Sequence, residues 1–255
     1  MRRIAPVFVA IFLMVACQTV PYTHRKSLVL IPQPLELELG LNTYREILSK
    51  SRLSHNRKWI SMVNRVGRRI ARAANRPNYR WEFKVIKNDR VINAFCLPGG
   101  KIAVYTGLMK LVSDDAELAT VIGHEVGHAI ARHGAERMSY LLLAELGGMA
   151  LQEALKKKPK KTLKLAMIAY GAGVTLGVIL PYSRLQEYEA DHIGLILMAK
   201  AGYDPHAALR FWEKMYKKFR GKEPPEFLST HPLTKNRIAR IRKLIPEAMR
   251  YYHRG

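Results

Sequence analysis

The run ATVIGHEVGHAIARHG, Ala119–Gly134, limits this chain more than any other stretch. Between Leu118 and Ala131 the only charged residue is Glu125, which is flanked by histidines in otherwise apolar company. A solvated helix face does not look like that, and a buried carboxylate is costly unless it is paired, hydrogen-bonded or set beside a cation. Residues four apart on a helix lie about 40° apart around its axis, so His124 and His128 point the same way and can share one ion. Glu125, one position on, sits beside that ion and can take a proton from a water there, which is the mechanical sense of H-E-x-x-H. The alternative is a core helix with three accidental polar residues. Asp114, followed three residues later by Glu117, has the form of a capping box that opens the helix. In a continuous helix His133 falls about 140° from His128, which keeps it off the same ion. Gly134 stands where the longer metzincin pattern needs histidine, which excludes that class.

Catalytic zinc usually takes three protein ligands and keeps one position for water, so another ligand must come from elsewhere. SRLQEYEAD, Ser183–Asp191, is the better candidate. Glu187 and Asp191, spaced i, i+4 on a predicted helix, share a face. Glu187 can ligate while Asp191 hydrogen-bonds the far nitrogen of a ligand histidine and fixes its tautomer. Glu189 points elsewhere and reads as surface charge. The alternative for all three acids is a solvated helix face.

The chain's 255 residues and near-half hydrophobic content suit one folded domain, and no internal repeat is visible. Helical spacing of Ile47, Leu53, Ile60, Val63, Val66 and Ile70 predicts one or two amphipathic helices between Leu41 and Ala74. Tyr79–Ile86, Val91–Leu97 and Lys101–Tyr105 then read as strands, the last two joined by a turn at Pro98, Gly99 and Gly100. The expected class is α+β, mainly helical, with a small antiparallel sheet of about three strands beside the metal helix. Arg2, Arg3, the apolar run Ile4–Ala16 and the sequence MVAC ending at Cys17 resemble a lipoprotein signal, although Met14 stands where that pattern usually has leucine. This predicts a leader over 1–16, a lipidated Cys17, a tether over 17–40 and the working domain over 41–255. Cys96 reads as a packed hydrophobe, which leaves no disulfide framework. The net charge of +23 favours anionic partners. With no zinc-finger or RNA-binding signature and an export-type N-terminus, nucleic acid is not among them. The charge-free run Leu165–Pro181 could cross a membrane by length, but a single crossing would separate the histidines from Glu187. A soluble helical hairpin tipped by KKKPKK, packed through Gly171, Gly173 and Gly177, is therefore expected.

NAFCLPGGKIAVYTGL (Asn93–Leu108), HEVGH, SRLQEYEAD and THP (Thr230–Pro232), in that order, resemble the HtpX-, BepA- and LoiP-like gluzincin endopeptidases. These are related to the prenyl-protein (CAAX) and mitochondrial Oma-type proteases, and the likeness runs from about Leu41 to Leu244. TVPYT, Thr19–Thr23, resembles the mature start of lipoprotein members. The resemblance implies one zinc ion at His124, His128 and Glu187, with Glu125 as general base. It also implies that His231, otherwise a turn residue, can occupy the fourth position as a latch. Arg237 can support the transition state or simply pack. An edge strand containing Asn93, Ala94, Phe95, Gly99 and Gly100 would take an extended substrate by backbone pairing. The function implied is proteolytic quality control of extended or misfolded envelope proteins from a lipid anchor on the periplasmic side, at the outer membrane. Partners would be those polypeptides, the membrane, and an envelope assembly machinery or a second copy. A holdase using the same groove and a membrane-integrated HtpX-like protease are the rival readings. An intact Glu125 argues against the holdase, which needs no base.

Overall fold

The computed structural model describes residues 17–253, so the expected leader over 1–16 lies outside the described residues. Cys17–Thr19 (β1) and Lys26–Leu28 (β2) pair as a short antiparallel ribbon. Gln33–Ser49 (α1) and Arg57–Ala74 (α2) come next, then Glu82–Ile86 (β3), Ala94–Leu97 (β4) and Lys101–Tyr105 (β5). A single turn, Thr106–Met109 (α3), leads into Asp115–Ala131 (α4), His133–Leu155 (α5) and Lys160–Val174 (α6). A π-helical turn, Thr175–Ile179, runs on into Leu180–Lys200 (α7). His206–Phe219 (α8), Glu226–Thr230 (α9) and Lys235–Met249 (α10) complete the described chain.

The central element is α4, and its apolar composition follows from burial on every side by α2, α7, α8 and β4. Its start is capped by the Asp114 side chain, which accepts from the Glu117 N–H at 2.8 Å, while the Glu117 carboxylate accepts from the Ser113 N–H at 2.8 Å. Small residues bring α4 and α7 into backbone contact. A Cβ added at Gly127 would lie 2.8 Å from the Ala190 carbonyl oxygen, and one at Gly194 would lie 2.8 Å from the His124 nitrogen. Neither neighbour is a side chain that can turn away. Gly127→Ala is therefore expected to cost about 1–3 kcal/mol through overpacking, and urea unfolding of the purified variant checks it.

Three expectations need correction. The sheet is mixed rather than antiparallel: its order is β3-β5-β4, with β4 antiparallel to β5 and β3 parallel to it, Glu82 opposite Lys101. Strand periodicity carries no direction, and the buried β5 takes the centre while β4 stands at one edge, its outer side unpaired by any strand among the described residues. Residues 17–40 are not a tether. β1 and β2 dock with Val20 fully buried, and α1 begins at Gln33 with a proline in its first turn, where the missing N–H costs nothing. The hairpin of α5 and α6 is not packed through Gly171, Gly173 and Gly177, none of which has an atom within 4 Å of an added Cβ. Its contact runs instead through Tyr170, which lies against Gly147 and Gly148 and donates to the Ala144 carbonyl at 2.8 Å. No side chain of α6 is buried, and the continuous helix Lys160–Lys200 is long and apolar enough to cross a membrane.

Candidate metal centre

His124 and His128 leave α4 one turn apart toward α7, which carries Glu187 on the facing side. His231, just past α9, closes the group from the opposite direction. His124 Nε2 and His128 Nε2 are 3.2 Å apart, and His128 Nε2 is 3.2 Å from Glu187 Oε1. His231 Nδ1 lies 3.2 Å from His124 Nε2 and 2.9 Å from Glu187 Oε1. A tetrahedral ion with bonds of about 2.0–2.1 Å has ligand–ligand edges of about 3.3 Å. These four separations lie close to that edge length, all four atoms lie within 4.8 Å of one another, and the donor set of three imidazoles and a carboxylate suits a divalent metal.

The surroundings also call for a cation. Glu125, Glu187 and Asp191 are all buried, and Glu125 Oε1 has no hydrogen-bond partner. Burial works against the Glu187 carboxylate, yet His128, with hydrogen bonds from His124, His128 and His231, holds its pKa far below the usual range. Burial drives His128 well below the ordinary histidine value. Both groups are thus kept in the form that ligates. Burial raises Glu125, against the pull of His231 and His124, which makes it a better proton acceptor.

Asp191 Oδ1 lies 2.9 Å from His124 Nδ1, so the far nitrogen of that histidine donates to a carboxylate and Nε2 is left to ligate. Arg237, buried in α10, grips Asp191 through Nε at 2.6 Å and Nη2 at 2.8 Å. Its Nη1 is 2.9 Å from Glu187 Oε2 and donates to the carbonyls of His231 and Pro232 at 3.2 and 3.3 Å. This one guanidinium therefore joins the acids of α7 to the loop that carries His231. The stack of Trp212 on Phe227, with Phe227 against the His231 ring, backs that loop.

Two residues set aside by sequence reasoning lie at this centre. Glu189 is buried rather than a surface charge, and His133 lies behind His128 with Nδ1 2.8 Å from His128 Nδ1. The reason is local. Helix α4 stops at Ala131, Arg132 adopts φ 60° in the left-handed region, and the chain turns back at His133. A continuous helix would not bring the two rings together. The only trace in the sequence is the return of polarity at Arg132-His133-Gly134. Cys17 is exposed at the start of β1. Asn93 stands at the head of β4 and donates to Glu226 at 3.0 Å; Ala94 and Phe95 lie on that strand, and Gly99 and Gly100 form the turn beyond it with φ of 85° and 80°.

An H-E-x-x-H helix with a glutamate from a second helix, in a mainly helical α+β domain, defines a gluzincin-type metallopeptidase domain. The chain belongs to peptidase family M48, whose family model matches residues 58–245. It is 44% identical to the mitochondrial metalloendopeptidase OMA1 of Arabidopsis thaliana over 62% of this chain and 30% of that protein. It is 32% identical to OMA1 of Schizosaccharomyces pombe over 90% of this chain and 66% of that protein. It is also 30% identical to the beta-barrel assembly-enhancing protease of Escherichia coli, over 81% of this chain and 43% of that protein. The chain spans less than two thirds of each of these three relatives. The matches overturn the expected location: mitochondrial enzymes from a plant and a yeast stand beside the bacterial one, and nothing in them favours a lipid-anchored site at the outer membrane.

Proposed function

We propose that this chain is a zinc-dependent endopeptidase that cuts extended or misfolded polypeptides as part of protein quality control. The observation that carries the reading is the convergence of His124, His128, Glu187 and His231, with Glu125 beside it and the outer edge strand β4 close to α4. Zinc bound by the two α4 histidines and Glu187 would supply a Lewis acid and would lower the pKa of a water from about 15.7 toward about 7. Glu125 takes the proton of the attacking water and passes it to the departing amide nitrogen. Strand β4 packs directly against α4, which supports placing a paired substrate strand near the base. Backbone pairing reads main chain more than side chain, which suits substrates recognised by being unfolded.

The test is digestion of an unfolded protein such as casein by the purified chain. Activity is expected to vanish after metal removal with a chelator and to return with stoichiometric zinc. Full activity in the stripped protein would end the reading.

His231 fills the position that a hydrolytic water needs, and its Nε2 lies 3.4 Å from Glu125 Oε1. We infer a latched state in which this loop holds the enzyme inactive. His231→Ala is expected to raise proteolysis severalfold at unchanged zinc content, because it frees one coordination position. Loss of activity in that variant with zinc retained would overturn the latch.

A further inference from the structure

We propose that His133, Glu189 and Arg25 form a positioning relay for the ligand His128, which makes the N-terminal ribbon a working part of the metal centre. This rests on the reading of His128 as a ligand through Nε2. An imidazole that ligates through Nε2 carries its proton on Nδ1. His128 Nδ1–H then donates to His133 Nδ1, 2.8 Å away. The His133 proton accordingly sits on Nε2 and is donated to Glu189 Oε2 at 2.9 Å. Glu189 in turn accepts from Arg25, through Nε at 2.9 Å and Nη2 at 2.7 Å, and from the Thr23 hydroxyl. Arg25 is anchored by two further bonds to Glu136, at 2.6 and 2.9 Å. Both imidazole N–H groups donate away from the ion, Arg25 and Thr23 donate back to the same Glu189 carboxylate, and one tautomer of each ring satisfies all of it.

The arrangement has a counterpart across the site. His124 is held by Asp191, and Asp191 by Arg237. His128 is held by His133, His133 by Glu189, and Glu189 by Arg25, so the same carboxylate-and-arginine pair acts here through one intervening imidazole. His133, Glu189 and Glu136 are 1%, 4% and 0% exposed. Their polar atoms therefore have little water to fall back on, and the cluster holds its geometry. Arg25 and Thr23 come from the segment between β1 and β2, so the ribbon closes the relay from outside α4 and α7.

The test measures zinc affinity by competition with a chromophoric chelator, together with the ligand-field spectrum of the cobalt(II)-substituted protein. The full chain is compared with His133→Leu, His133→Asn and Arg25→Met. Removing an outer partner of a ligand histidine typically weakens metal binding about 10- to 100-fold, which is the expected loss for His133→Leu. His133→Asn, whose side-chain oxygen can stand in for Nδ1 as the acceptor, is expected to recover part of that loss. Arg25→Met is expected to give a smaller loss and a shifted cobalt spectrum, and it tests the relay even where His133→Leu does not fold. Unchanged zinc affinity and spectrum in folded His133→Asn and Arg25→Met would overturn the relay, as would lower stability without any change in affinity. Failure of the wild-type chain to bind zinc would instead overturn the metal centre, and the relay with it.

Discussion

Glu125→Gln is expected to cut hydrolysis of an unfolded substrate by about 10²- to 10⁴-fold while leaving bound metal unchanged. Amide and carboxylate have nearly the same shape, so the packing of α4 is kept. The side chain loses its capacity to hold a proton. Glu125 is not one of the four converging residues, and among the described residues its Oε1 has no hydrogen-bond partner, so the substitution strands no buried donor opposite that oxygen. Metal analysis alongside casein digestion separates the two effects. Equal digestion by wild type and variant would remove Glu125 as the base. A parallel fall in metal content would instead assign it a ligand's role.

Asp191→Ala is expected to destabilise the folded chain by about 3–5 kcal/mol, since breaking a buried ion pair leaves the surviving charge uncompensated. Arg237 is 1% exposed and, among the described residues, would keep Glu187 as its one ion-pair partner. In a chain of this size about 1 kcal/mol corresponds to about 2–4 °C, so the melting temperature should fall by about 6–20 °C. His124 would lose the acceptor at its far nitrogen in the same stroke, and metal affinity should drop about 10- to 100-fold. Replacing Asp191 and Arg237 together by apolar residues of similar volume should restore much of the stability but not the affinity. Calorimetry on metal-free protein and a zinc titration distinguish these outcomes. A melting point within about 2 °C of wild type would show that the pair carries little of the fold's stability.

Much of this centre was legible in the chain because helical spacing is a local property. Four-residue intervals put His124 with His128 and Glu187 with Asp191 before any fold was known, and the lone charge in an apolar run singled out Glu125. His133 was lost for the same reason it matters: the spacing rule holds only inside one helix, and a single left-handed residue at Arg132 voids it. Glu189 was misplaced because its partner Arg25 is 164 residues away, beyond what periodicity can see. The proline-bearing segment before α1 looked unstructured, yet its order comes from Val20 and Arg25 reaching elements formed much later. The parallel pairing of β3 with β5 was hidden because a strand's own pattern is the same in either direction. The glycines of α4 and α7 carry no such local signal. They read as weak points in helices until the second helix is laid against the first.

That glycine contact gives α4 and α7 the character of fixed-jaw calipers. Where side chains separate two helices, rotamers can open or close the gap by small amounts. Here backbone meets backbone at Gly127 and Gly194, and the opening is set by atoms that cannot rotate. The backbones that carry His128 and Glu187 share that fixed spacing, and their side chains bridge it with Nε2 3.2 Å from Oε1. An ion such as calcium, which asks for bonds of about 2.3–2.6 Å and six or more oxygens, is poorly served by three imidazoles and one carboxylate on helices so spaced. The spacing of the two helices that carry the donors is thereby set by main chain, directly beside His124 and His128.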